Sequence, residues 1–265
     1  MESIISNFMD KSRPAVKLFL QKSMRSKIPE YELKQNPLLG NTRVEKVLRD
    51  VFCDEYGGIR VIAAPPGSGK TTYVRGYVNK FIEDGGSVKM FESELENKSD
   101  FYIRFGDAER RFDLFDVLPR RSAIVVDQLE HFRELPTEIE SLLCHLAYES
   151  RRTAECNVIV MLSNTVLAHK VLELNGLDKI KSGGKACDFE WDNHQVKAFV
   201  EEGCKGWIQK DKEELIRLGC IARCPTLLHS ILTICPLGFP ADTTFLEKTA
   251  VRFGDAWEQF SSSGL

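Results

Sequence analysis

Residues 59–86 read IRVIAAPPGSGKTTYVRGYVNKFIEDGG. An apolar strand, IRVIAA (59–64), runs into a Gly- and Pro-rich turn, and the turn opens a helix that stops at Gly85-Gly86. Glycines at 67 and 69 let backbone N–H groups turn inward around an anion. Residues 70–72 begin the helix, whose first N–H groups and dipole favour negative charge. Ala64-Pro65-Pro66-Gly67-Ser68-Gly69-Lys70-Thr71 fits the P-loop pattern, with Ala64 in place of the first glycine, a position that needs only a small residue. In that pattern Lys70 reaches the β- and γ-phosphates of a nucleotide, and Thr71 gives a hydroxyl to Mg2+. The expected binding residues are Pro66, Gly67, Ser68, Gly69, Lys70, Thr71 and Thr72, for ATP or ADP with Mg2+.

Outward from this stretch, strand and helix alternate. SVKMFES (87–93), SAIVVDQ (122–128) and NVIVMLSN (157–164) read as further strands, and ACDFEW (186–191) as a short fifth. Helices are expected before the first strand (from Asn41-Thr42 to Gly57-Gly58), from Pro136, and over TVLAHKVLELNG (165–176). Residues 94–120 are polar and irregular, with a helix around DAERRFDLFDVL (107–118). Continuous apolar strands separated by helices mean a parallel sheet covered on both faces. The expected fold is therefore α/β: a three-layer αβα core with a parallel five-stranded sheet.

After Trp191 the pattern changes. DNHQVKAFVEEG, DKEELIRLGC, PTLLHSILTI and DTTFLEKTAVRFGDAWEQF all read as helices, with no convincing strand. This gives three regions: a helical lead-in (1–40), an α/β core (41–191) and a small helical domain (192–265).

If Lys70 holds phosphate, an acid at a neighbouring strand end should help to hold Mg2+. Asp127 closes the apolar run AIVV, where an acid buried without a partner would be costly. Thr71 and Asp127 are thus the expected metal-binding pair. Gln128 follows, and Glu130 stands two residues further on. Gln128 can orient a water, as a glutamine does in other P-loop enzymes. Asn164, at the tip of VIVMLSN, is a polar strand end that turn chemistry alone also explains.

P-loop, acid-tipped strand, polar-tipped strand and helical tail together resemble the AAA+/STAND branch of P-loop ATPases, over residues 40–235. The resemblance implies a helical lid and adds roles. Many AAA+ proteins carry Asp-Glu where this chain has Asp127-Gln128; VVDQLEHF is similar to the Asp-Gln-apolar-Glu pattern of some STAND ATPases, which would make Glu130 the base. Asn164, with Ser163 as the second choice, would be the sensor at the fourth strand tip. STAND proteins often carry an arginine near this point, and its absence leans toward AAA+. LGCIARCPTLLHSIL (218–232) has the look of the lid helix that carries a sensor arginine, here Arg223; the alternative is a surface arginine at a helix start. Arg151, Arg152, Arg120 and Arg121 are candidate trans-acting fingers or plain surface charges.

The bulk numbers fit one large domain or a domain with a satellite: 265 residues, 43% hydrophobic and 28% charged. A net charge of -3 gives no strong field toward nucleic acid or membrane. There is no helix-turn-helix or zinc finger, so DNA association stays a branch of the main reading. No apolar run reaches transmembrane length. The 8 cysteines include no CxxC and read as reduced thiols of a cytoplasmic or nuclear protein. A zinc site from Cys204, Cys220, Cys224 and Cys235 is the minor alternative. The implied function is an ATPase coupling Mg-ATP turnover to assembly or remodelling of a macromolecular partner, working as a homo-oligomer or within a protein assembly. The alternative is a nucleotide-gated switch with little turnover. A small-molecule kinase shares only the first motif.

Overall fold

The computed structural model describes residues 42–53, 57–91, 121–127, 129, 135–153, 156–174, 180–183, 188–240 and 242–264. The lead-in at 1–40 and the helix around 107–118 lie outside these residues. A parallel sheet carries the first part of the chain: β1 (Gly58–Ala63), β2 (Ser87–Phe91), β3 (Ser122–Val126), β4 (Cys156–Leu162) and β5 (Ile180–Ser182), in the spatial order β2-β3-β4-β1-β5. Residues of β3 and β4 are buried throughout, as strands covered on both faces must be. The covering helices are α1 (Thr42–Phe52), α2 (Lys70–Glu83), α3 (Thr137–Thr153) and α4 (Thr165–Glu173). Helix α1 shows how the faces are sealed. Val44, Leu48, Val51 and Phe52 recur at helical spacing, and all four are buried.

The sheet corrects one expectation. Four strands of five to seven residues carry it, and in place of the expected fifth strand at 186–191 the edge is β5, only three residues long. The predicted strand at 186–191 is not one: its described residues, 188–191, pair with no neighbour in the sheet. Phe189 and Trp191 are buried for another reason. Phe189 packs edge-on against Tyr73 of α2, Trp191 packs edge-on against Phe199, and the Trp191 indole N–H donates to the Tyr73 hydroxyl at 3.1 Å. Their alternation is that of two wedges in a connecting segment rather than of a pleated strand.

Four helices follow: α5 (Asn193–Gly203), α6 (Gln209–Ala222), α7 (Pro225–Ile234) and α8 (Thr244–Ser262). Asp192 opens α5 with a reciprocal capping box to Gln195. Helix α6 ends on Arg223 in the left-handed conformation (φ 52°), and Pro225 starts α7. Helices α6 and α8 cross closely at Gly254, where an added Cβ would lie 2.8 Å from the Ile221 carbonyl oxygen. The far end of α8 returns to the α/β layers, where His169 Nε2 of α4 and the Ser263 carbonyl are 3.1 Å apart. Among the described residues no helix is long and apolar enough to cross a membrane.

Candidate functional site

The strand order decides what meets at the C-terminal edge of the sheet. β4 lies between β1 and β3, with Ala63 opposite Leu162 and Val160 opposite Val126. The tips of these three strands therefore stand side by side, the usual ligand position in an open parallel sheet. The loop after β1, the Ser163-Asn164 pair after β4 and Asp127 after β3 all arise there.

The loop after β1 folds as a tight turn. The Ser68 N–H donates to the Pro65 carbonyl at 3.2 Å, with Pro66 and Gly67 (φ 78°) at the centre. Proline followed by a positive-φ glycine is the type II pattern. Gly69, also left-handed (φ 83°), then turns the chain into α2, and no side chain caps that helix. As the N-cap, Gly69 brings no side-chain acceptor to the first turn of α2, which suits an anion site.

Lys70 and Thr71, the first two residues of α2, reach different strand tips. Lys70 is 6% exposed. Its ammonium donates to the carbonyls of Ala64 (2.7 Å) and Pro65 (3.2 Å) and to the Ser163 hydroxyl (2.8 Å). Thr71 donates its hydroxyl to Asp127 Oδ2 at 2.8 Å, and Asp127 is 3% exposed. A hydroxyl and a carboxylate in contact at the end of a parallel sheet are hard oxygen donors suited to Mg2+. Thr72 continues the helix, half-buried, and Pro66 is exposed at the loop tip.

Two further features test whether a phosphate group fits. Among the described residues Ser68 Oγ is buried with no hydrogen-bond partner, an orphan that a ligand oxygen would satisfy. Gly67 has no room for a side chain: an added Cβ would lie 3.0 Å from Cys224 Sγ, 3.0 Å from Phe253 Cε1 and 3.2 Å from Thr226 Cβ. A loop so confined keeps its backbone in position, and the residues present fit a nucleotide phosphate.

The other expected residues are distributed differently. Ser163, the second choice at its strand tip, is the one that touches Lys70. Asn164 is exposed and caps α4, its Oδ1 accepting from the Leu167 N–H at 3.1 Å. Gln128 and Glu130 lie outside the described residues, although Leu129 between them is buried. Arg223 donates to Glu190 Oε1 at 2.8 Å and lines an open groove with Arg43, Trp191, His194 and Cys220. Arg152 pairs with Glu149 at 2.7 Å, and Arg121 bonds the Asp84 carbonyl at 2.8 Å over the Phe81 ring. Arg120 lies outside the described residues. No group of three or more His, Cys, Asp or Glu suited to a metal occurs among the described residues.

Sequence reading missed the hold that the helical tail takes on the phosphate loop. The Cys224 thiol and the Thr226 hydroxyl both donate to the Gly67 carbonyl, each at 2.9 Å. Burial pushes the Cys224 thiol up; hydrogen bonds from Leu227 and Thr226 and the Lys70 charge pull it partly back. Cys-Pro-Thr at a helix start was the only local signal, and it says nothing of a partner so distant in sequence.

The chain matches no protein-family model, and no curated protein matches it in sequence. Solved structures do resemble it in fold. A Walker-type ATPase of Pyrococcus abyssi aligns at a TM-score of 0.51 with 12% identity, over 91% of this chain and 79% of that one. RuvB of Thermotoga maritima, in a mutant form, aligns at 0.46 with 12% identity, over 82% and 72%. Trip13 from Rhizobiales aligns at 0.45 with 14% identity, over 85% and 95%.

Proposed function

We propose, for a chain with the fold of the AAA+ P-loop ATPases, that it binds Mg-ATP at the loop after β1 and hydrolyses it. The observation that supports this best is the convergence of Lys70 with Ser163 (2.8 Å) and of Thr71 with Asp127 (2.8 Å) across the tips of three adjacent strands. The backbone N–H groups of residues 67–72 cradle the phosphates, and Lys70 exchanges loop carbonyls for phosphate oxygens. Thr71 and Asp127 would hold Mg2+, which would supply positive charge to neutralise the phosphates. Glu130 is the proposed base for the attacking water, with Gln128 as the orienting alternative. Asn164 and Ser163, which follow β4, are the proposed contacts to the terminal phosphate, and Ser163 is the one already in contact with Lys70.

In this reading residues 192–265 form the lid, 41–191 the ATPase core and 1–40 a lead-in. Arg223 exchanges Glu190 for the nucleotide as the lid closes. The output is assembly or remodelling of a macromolecular partner, within a homo-oligomer or larger protein assembly. A second reading is a nucleotide-gated switch with little turnover. It is favoured by Gln128 standing where many AAA+ proteins have a base, and by the direct grip of the tail on the phosphate loop.

A multiple-turnover phosphate-release assay on the full chain tests both. Sustained release that is lost in Lys70→Ala and reduced at least about 100-fold in Glu130→Gln supports the enzyme. Tight ATP binding with no sustained release would select the switch. Lys70→Ala binding ATP as the parent does would reject the site altogether.

A further inference from the structure

The helical tail meets the phosphate loop at Gly67, whose carbonyl accepts from two tail donors. Cys224 is the residue before α7, and Thr226 is the second residue within it. The thiol and the hydroxyl approach the Gly67 oxygen at 2.9 Å each, and a carbonyl oxygen has two lone pairs with which to accept both. Cys224 is fully buried, while Thr226 is exposed on its other side. Phe253 of α8 closes the remaining side of Gly67, so two tail helices bear on one peptide group.

The geometry of that peptide gives the contact its meaning. A trans peptide is planar, and its C=O and N–H point in opposite directions. With the Gly67 oxygen held toward α7, the Ser68 N–H must face the inside of the turn, where it meets the Pro65 carbonyl at 3.2 Å. That N–H belongs to the set proposed to cradle phosphate, and the orphaned Ser68 hydroxyl stands on the same residue. If the tail let go, the 67–68 peptide could rotate about the flexible glycine and carry its N–H out of the cradle.

We infer that Cys224 and Thr226 are positioning residues for nucleotide binding, which fix the Gly67–Ser68 peptide from the first turn of α7 and so couple the helical tail to the phosphate loop. This rests on the Mg-ATP reading above. It adds a route by which tail and loop sense one another through hydrogen bonds to a backbone carbonyl, apart from any contact of Arg223 with nucleotide. By reciprocity, a ligand that favours this peptide orientation also favours the docked tail.

The test uses the full chain with Mg-ATP as the probe. Binding is measured by calorimetry for the parent, Cys224→Ala/Thr226→Val, Cys224→Ser/Thr226→Ser and Lys70→Ala. Removing both donors should weaken binding about ten-fold, from the size of two neutral hydrogen bonds of which one is a weak thiol. The Ser/Ser variant keeps both donors and should stay within about three-fold of the parent. Equal binding by the Ala/Val variant and the parent, while Lys70→Ala loses binding, would overturn the inference and leave the nucleotide site standing. No binding by the parent would overturn both. The unaltered protein gives a measurement free of folding defects: iodoacetamide labelling, read peptide by peptide. Mg-ATP should slow alkylation of Cys224 at least about five-fold relative to Cys235, at the far end of the same helix. A Cys224 rate indifferent to nucleotide would also overturn it.

Discussion

Replacing Gly67 by alanine probes the loop and the tail together. Two costs are separable. First, residue 67 has φ 78°, and an L-residue held in the left-handed region costs about 1–2 kcal/mol. Second, the new methyl would meet Cys224 Sγ and Phe253 Cε1 at 3.0 Å and Thr226 Cβ at 3.2 Å. Overpacking of this kind costs about 1–3 kcal/mol. Gly85 isolates the first cost, because its φ is 86° and an added Cβ there meets nothing within 4 Å. Gly85→Ala should therefore lose about 1–2 kcal/mol and Gly67→Ala about 2–5 kcal/mol, which for a chain of this size lowers Tm by roughly 5–15 °C. Thermal unfolding by circular dichroism, with no nucleotide present, reads both. Trimming Cys224 to alanine in the Gly67→Ala background should return part of the second cost, with a coupling of about 0.5–1 kcal/mol in a double-mutant cycle. If the two glycine variants melt within about 1 °C of each other, the tail does not press on the loop, and the packing argument fails.

Arg223→Ala should change stability by no more than about 1 kcal/mol, because the Arg223–Glu190 pair is partly solvated, with side chains 41% and 24% exposed. A loss of ATP affinity beyond ten-fold in the same variant would then mark a direct nucleotide contact, and unchanged affinity would remove the residue from the site. Ser150→Ala deletes the buried hydroxyl that accepts from the Gly58 N–H at 2.8 Å, and should cost about 1–3 kcal/mol in a urea melt. An unchanged melt would mean that water replaces the hydroxyl. The Tyr77 phenol is pushed up to about 12, first by burial and then by the neighbouring Cys53 charge, against Arg49. The folded state therefore keeps a proton that the unfolded state releases from pH 10, so the contribution of Tyr77 is intact below pH 10 and is lost as the pH rises toward 12. A difference ultraviolet titration against Tyr77→Phe would show ionisation near pH 10 if that reasoning is wrong.

How much of this was legible varies by physical cause. The P-loop was plain because its glycines are obligatory: Gly67 and Gly69 sit at φ 78° and 83°, where other residues are strained. Asp127 was legible because an acid ending a buried strand needs a partner, and the partner is Thr71. The fifth strand was misread because Phe189 and Trp191 alternate like a pleat while packing as wedges, and the real edge strand, Ile-Lys-Ser, is too short to carry a pattern. Asn164 ranks ahead of Ser163 in the sequence, yet Ser163 is the one that touches Lys70 while Asn164 caps α4, because which of the two becomes the cap depends on where the helix begins. The Gly67 contacts of Cys224 and Thr226 join residues more than 150 positions apart, and no local periodicity encodes them.

The strand order also sets a timetable for synthesis. β1 pairs only with β4 and β5, so Gly58 waits for Asn157 and Ile59 for Val158 and Ile180. A nascent chain that has emerged only through β3 can zip β2 to β3, but its phosphate-loop strand has no neighbour. During that interval an apolar strand shows two bare edges, the condition under which newly made chains stick to one another. Slow translation just before residue 156 should therefore lower the yield of native protein more than an equal pause after residue 182.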